Sequence, residues 1–119
     1  MLYRLAEPAD WHHAQQTGFF ASADLVAEGF IHASEAHQIL ETARRYYAGR
    51  AYLVLLEWDE AALAAANVRV EREWVPARQQ HFAHVFGPVP LGAVRRVWPF
   101  GGGESSGFQL PPALLMSGE

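Results

Sequence analysis

The run Ala51-Tyr52-Leu53-Val54-Leu55-Leu56-Glu57-Trp58 constrains the fold more than any other part of the chain. It has the length of one strand and is apolar without alternation, so it has no face to offer to water. Such a strand is buried on both sides and belongs at the centre of a sheet. Glu57, near the end of the run, then needs either the strand's end or an arginine partner to escape an expensive desolvation, and the strand's end is expected.

The flanking sequence supplies the other elements. Leu2 to Leu5 suits a first strand. Glu7-Pro8 reads as a helix start, because proline is preorganised for the first helical turn; the helix runs to about Thr17, where Gly18 ends it with positive φ and Phe19-Phe20 re-enters the core. Ser22 to Glu28 is a short helix capped by Ser22 and closed by Gly29. Phe30-Ile31 is a brief buried strand. Ser34 then caps the one long helix, whose apolar positions Ala36, Ile39, Leu40, Ala43 and Tyr47 follow helical spacing up to the stop at Gly49.

Asp59 to Ala66 reads as a helical turn. Val68, Val70 and Trp74 alternate with Arg69, Glu71 and Glu73, as in a strand with one wet face. Pro76 to Gln80 is a polar, mobile connection. Phe82 to Phe86 and Ala93 to Trp98 are strands flanking a turn at Gly87 to Gly92, Gly101 to Gly107 is a loop, and Phe108 to Leu110 adds an edge strand. The expectation is one small α+β domain over residues 1–110, with a loosely held tail over residues 111–119.

What chemistry this domain can carry is bounded by what it lacks. With no cysteine, disulfides, thiolate metal sites and cysteine nucleophiles are excluded. All nine basic residues are arginine, so Schiff-base lysines and lysine phosphate loops are excluded too. A net charge of -4 disfavours broad nucleic-acid binding, yet a local arginine can still hold a small phosphorylated ligand. No leader pattern opens the chain, and no apolar run approaches the roughly twenty residues of a bilayer-crossing helix. A cytoplasmic protein without membrane contact, monomeric or homodimeric, is expected.

Among the histidines, His32 stands out, because a short apolar strand delivers it two residues ahead of an expected helix N-terminus. Free N–H groups and the positive end of the helix dipole attract anions there and lower an imidazole's pKa, which leaves a neutral ring beside a phosphate or polarised hydroxyl. The plainer alternative is that His32 bonds a neighbouring loop and packs against Phe30. His81 and His84 fall on opposite faces of a strand and cannot share an ion, so no metal is expected. His84, just before Gly87-Pro88, fits a cleft, whereas His12, His13 and His37 are expected at the surface. Glu71 and Glu73 share a strand face that is usually solvated.

The order of segments, Leu2-Tyr3-Arg4-Leu5, then Glu28-Gly29-Phe30-Ile31-His32-Ala33-Ser34, then Phe82-Ala83-His84-Val85-Phe86-Gly87-Pro88, resembles the family known as domain of unknown function 952. The resemblance runs from Leu2 to about Phe100. The family usually reads FIHCS and FPHIYGPL-like in the last two segments, so both histidines are kept. It implies remote kinship with ADP-ribosyltransferases and the RNA 2'-phosphotransferases that use NAD, and with it mostly antiparallel split sheets around a dinucleotide cleft.

On that resemblance NAD is the cofactor, His32 the catalytic residue, and Arg4, His32, Ser34 and His84 the cofactor-binding set. Where the family reads Tyr-His-Ile, with the histidine holding the adenosine-side ribose, this chain has Tyr3-Arg4-Leu5. Arginine can donate to a ribose or clamp a phosphate, but it cannot act as a neutral acceptor. Three functional classes follow. The first is an NAD-dependent ADP-ribosyl or phosphate transferase, and the second a non-catalytic module for a nucleotide or small phosphorylated ligand. The third is a protein-interaction domain using Trp58, Trp74, Trp98 and the proline-rich tail.

Overall fold

The computed structural model describes residues 1–101 and 107–115. In chain order the strands are β1 (Leu2–Ala6), β2 (Phe19–Phe20), β3 (Ile31–Ala33), β4 (Leu53–Trp58), β5 (Arg69–Val75), β6 (Gln80–Phe86), β7 (Val89–Pro90) and β8 (Val94–Phe100). The α-helices are α1 (Pro8–Thr17), α2 (Ala23–Glu28), α3 (Ile39–Tyr46), α4 (Glu60–Ala65) and α5 (Pro112–Leu115). The chain is an α+β domain whose strand pairs are all antiparallel. No helix among the described residues is long and apolar enough to cross a membrane.

Strand β4 lies where its composition requires, between β1 and β8. Alternate residues point to opposite faces, and each face has its own core. Leu56 and Trp58 join Leu2, Phe20 and Leu63 on one side, while Leu53 and Leu55 join Tyr3, Ile39 and Phe100 on the other. Glu57 is 1% exposed and is satisfied by an arginine rather than by the strand's end: Arg96 Nε and Nη2 each donate to it at 2.8 Å, and so does the Tyr3 hydroxyl at 2.8 Å. The bidentate geometry is what makes a buried carboxylate tolerable here.

A second sheet has the order β3-β6-β5, with His32 directly opposite His84. The ribbon β2-β7 gives the expected turn between Gly87 and Gly92 a pairing partner. The two larger sheets meet at one backbone pair, in which Tyr3 N donates to Ser34 O and Ser34 N to Tyr3 O, both at 2.8 Å. A cleft opens beside this junction.

Several local expectations hold. Proline opens α1, and Gly18 (φ 90) and Gly29 (φ 89) end α1 and α2 in the left-handed region. The Asp59 side chain caps α4 by accepting from Ala61 and Ala62 N–H.

The expected long helix starting at Ser34 is corrected. Ser34 spends its backbone groups on Tyr3, and Ala36–Gln38 forms a tighter 3-10 turn. Buried Gln38 holds that turn to the second sheet: its side chain accepts from Glu35 N at 2.9 Å and donates to His81 O at 2.8 Å. The α-helical part, α3, is only eight residues long. The end of the chain also differs. Phe108 stacks on Phe100 without forming a strand, and Pro112–Leu115 of the expected tail forms α5, with Leu114 buried. Residues 102–106 of the expected loop and residues 116–119 lie outside the described residues.

Candidate functional site

Beside the sheet junction lies a cavity of about 750 Å³. Its lining includes Arg4, His32, Ser34 and His84, so all four residues singled out from the sequence come together. They do so in ways the sequence does not foretell.

At one end, Asp24 on α2 organises the group. Its Oδ2 accepts from Arg4 Nη1, from His32 N–H and from His32 Nδ1, each at 2.9 Å, while Ser22 Oγ donates to Oδ1. Burial pushes the Asp24 carboxyl up, but the His32 side-chain bond, the Arg4 charge, the His32 amide and the Ser22 hydroxyl outweigh it and hold the carboxyl far below the usual range. Arg4 also donates to His32 O at 3.0 Å. Arg4 is therefore committed to an internal ion pair.

His32 itself is not placed at an α-helix N-terminus, because α3 begins only at Ile39. The sequence argument from a helix dipole thus loses its helix. The ring's neighbours are instead carboxylates, Asp24 on Nδ1 and Glu28 Oε1 at 3.7 Å from Nε2, and the side chain is half exposed.

His84 is buried, and its ring stacks on Phe30 at 4.0 Å and meets His32 edge-on at 5.4 Å. Its Nδ1 lies 2.6 Å from Glu73 Oε1, and its buried Nε2 has no partner among the described residues. Glu73, expected to be solvated, is the group that orients this histidine. His81 lies at the odd-numbered register of β6 and is exposed, as are His12, His13 and His37. Among the described residues no cluster of three or more histidines and carboxylates could hold a metal ion.

The other end of the cavity was missed by sequence reasoning. Pro76 to Gln80, expected to be mobile, is a tight turn in which Arg78 N and Gln79 N both donate to Val75 O. The turn carries Arg78 inward, where its guanidinium lies 4.3 Å from the Phe82 ring centroid and 5.7 Å from that of Tyr46. Arg78 Nη2 donates to Thr42 Oγ1 at 3.1 Å, and Thr42 Oγ1 is 3.5 Å from Ser34 Oγ. An arginine in a polar turn carries no sequence signal that separates inward from outward. Asp24 had one: an acidic residue in the first turn of a short helix, eight positions before His32.

The tryptophans do not form a common surface. Trp58 is fully buried, Trp98 packs on the second core, and Trp74 is half exposed beside the cavity.

The sequence profile of the family described as "Protein of unknown function (DUF952)" matches residues 5–97. Among solved structures, the crystal structure of protein CC0527 from Caulobacter crescentus is 30% identical, covers 96% of this chain and 97% of its own, and superposes with a TM-score of 0.82. The solution structure of the same protein is 29% identical, with coverage of 90% and 89% and a TM-score of 0.70. No curated protein matches the chain.

Proposed function

This chain belongs to the DUF952 family of proteins of unknown function, and we propose that its cleft is a nucleotide site that takes NAD for transfer of an ADP-ribosyl or phosphate group. The observation that carries this reading is the convergence of His32, Ser34 and His84 on one cavity of about 750 Å³. That volume lies within the roughly 300–1,000 Å³ of small-molecule sites. The split antiparallel sheets on either side support the ADP-ribosyltransferase-like interpretation by analogy of architecture.

The side chains suit separate tasks. With Nδ1 turned to Glu73, His84 leaves Nε2 without a partner among the described residues, and a ribose hydroxyl is the ligand group assigned to it. His32, held by Asp24 and open to solvent, acts on the incoming acceptor. Arg4 positions Asp24 rather than touching the ligand. In the transfer the acceptor oxygen bonds to the ribose C1', the C1'–nitrogen bond breaks, neutral nicotinamide leaves and the acceptor's proton passes to His32. No cleft residue is an evident nucleophile, so the attacking oxygen comes from the acceptor.

Titrating the protein with NAD and ADP-ribose while following thermal unfolding tests the reading, because a ligand that binds only the folded state raises its melting temperature. Wild type should release nicotinamide, and His32→Ala should slow release by about 100-fold or more. If millimolar NAD and ADP-ribose both leave the melting curve unmoved, the reading is overturned. The commitment of Arg4 to Asp24 favours a second reading, binding without turnover. Clear stabilisation by NAD with no nicotinamide released selects it.

A further inference from the structure

Arg78 is a buried cation with no counter-ion among the described residues. The residue is 8% exposed, its Nε has no acceptor, and its side-chain hydrogen bond goes to the neutral hydroxyl of Thr42. Other enclosed carboxylates among the described residues are paired: Glu57 with Arg96, and Asp24 with Arg4. Removing a charge from water is costly unless an opposite charge replaces the lost hydration. The rings of Tyr46 and Phe82 offset part of that cost through their faces, but they offer no acceptor to the guanidinium N–H groups.

We propose that Arg78, with Thr42 and Ser34, receives a phosphate or pyrophosphate group of the cleft's ligand. The proposal rests on the nucleotide reading above and deepens it by placing the anion beside Thr42 of α3 rather than on Arg4. All three side chains line the cavity. The planar guanidinium presents paired donors matched to phosphate oxygens, and the two hydroxyls can add a donor each. Arg4 and Arg78 are the arginines lining the cavity, and Arg4 is already neutralised by Asp24. Partial enclosure between aromatic rings keeps the Arg78 charge weakly hydrated, so a phosphate displaces little water on binding.

The test is binding of sodium pyrophosphate, ADP, adenosine and malonate, read by thermal unfolding and calorimetric titration, on wild type and on Arg78→Met, Arg78→Lys and Thr42→Val. Pyrophosphate and ADP should raise the melting temperature of wild type, and adenosine and malonate should not. Arg78→Met should weaken pyrophosphate and ADP by about tenfold or more. Its unliganded melting temperature should equal or exceed that of wild type, because methionine fills the space between Tyr46 and Phe82 without a charge to compensate. A merely structural arginine would give the reverse pattern, lower stability with binding intact. Arg78→Lys should bind with intermediate affinity, and Thr42→Val should weaken pyrophosphate by about threefold, which keeps the test usable if Arg78→Met does not fold.

Pyrophosphate and ADP that leave wild type unmoved at millimolar concentration overturn the proposal, as does unchanged affinity in the Arg78 variants. Binding of malonate as strong as that of pyrophosphate overturns the phosphate assignment. If pyrophosphate binds through Arg78 while NAD does not bind, the anion site stands and the NAD reading falls. If NAD binds wild type and Arg78→Met equally, the anion site falls and the NAD reading stands.

Discussion

Asp24 shows how much one carboxylate can organise. It accepts from two side chains and a backbone amide on Oδ2 and from Ser22 on Oδ1, and it thereby ties β1, α2 and β3 together at the mouth of the cleft. Its carboxyl is depressed below the ordinary value near 4. A depressed carboxyl stabilises the fold in full above its unfolded value, and this stabilisation is lost as the pH falls below about 4. Asp24→Asn should therefore unfold less steeply in acid than wild type, and at neutral pH it should be less stable by about 3 kcal/mol because Arg4 is left buried without its counter-ion. Urea unfolding at a series of pH values between neutrality and the acid limit measures both effects. Equal acid dependence in the two proteins would remove Asp24 from this role.

At the scale of elements, the end of the chain departs most from what its composition suggests. Strand β8 runs into Gly101, where a Cβ would sit 1.9 Å from the Ala51 carbonyl oxygen, so glycine alone lets the chain pass this close to the start of β4. The chain returns with Phe108 stacked on Phe100 at 5.4 Å and with Leu114 in the second core. The final segment thus closes the face of β4 that carries Leu53 and Leu55. Phe108→Ala should cost about 3 kcal/mol in equilibrium unfolding, the range for truncating a buried aromatic. A loss below about 0.5 kcal/mol, typical of surface substitutions, would show that the segment is not docked in solution. The helix after Ser34 teaches the complementary point. Its apolar spacing was legible and Ile39 and Ala43 do face the core, but the spacing could not show that Gln38 would be drawn to the second sheet.

Across the whole molecule, the two larger sheets share one core, in which Leu2 and Leu56 pack with Ile31 and Val85, and are joined backbone to backbone by the Tyr3–Ser34 pair, with the cleft beside that junction. A ligand that contacts Ser34 and Thr42 together with His84 bridges α3 and the second sheet beside that junction. Occupying the site should slow amide hydrogen exchange at Tyr3 and Ser34 more than in the middle of β4, which is held between two strands regardless of ligand. At a ligand concentration of about 100 Kd the global stabilisation should be about 2.7 kcal/mol. Exchange measured with and without pyrophosphate checks this. Equal slowing everywhere would show that the junction is no weaker than the rest of the fold.

What the sequence determined by itself is what depends on near neighbours. The unbroken apolar run of β4, the proline start of α1 and the glycine ends of α1 and α2 all follow from steric and solvation preferences within a few residues, and lack of cysteine and lysine excludes whole chemistries. The sequence also singled out His32 and His84, whose surroundings are apolar strands. What only the tertiary structure decided is which group each polar side chain meets. Asp24 with Arg4 and His32, Glu73 with His84, and Arg96 with Glu57 are pairings across 8 to 39 positions of chain, and Arg78 meets no acid among the described residues. Whether a buried charge is neutralised depends on atoms a few ångströms away in space, and spacing along the chain does not set that distance.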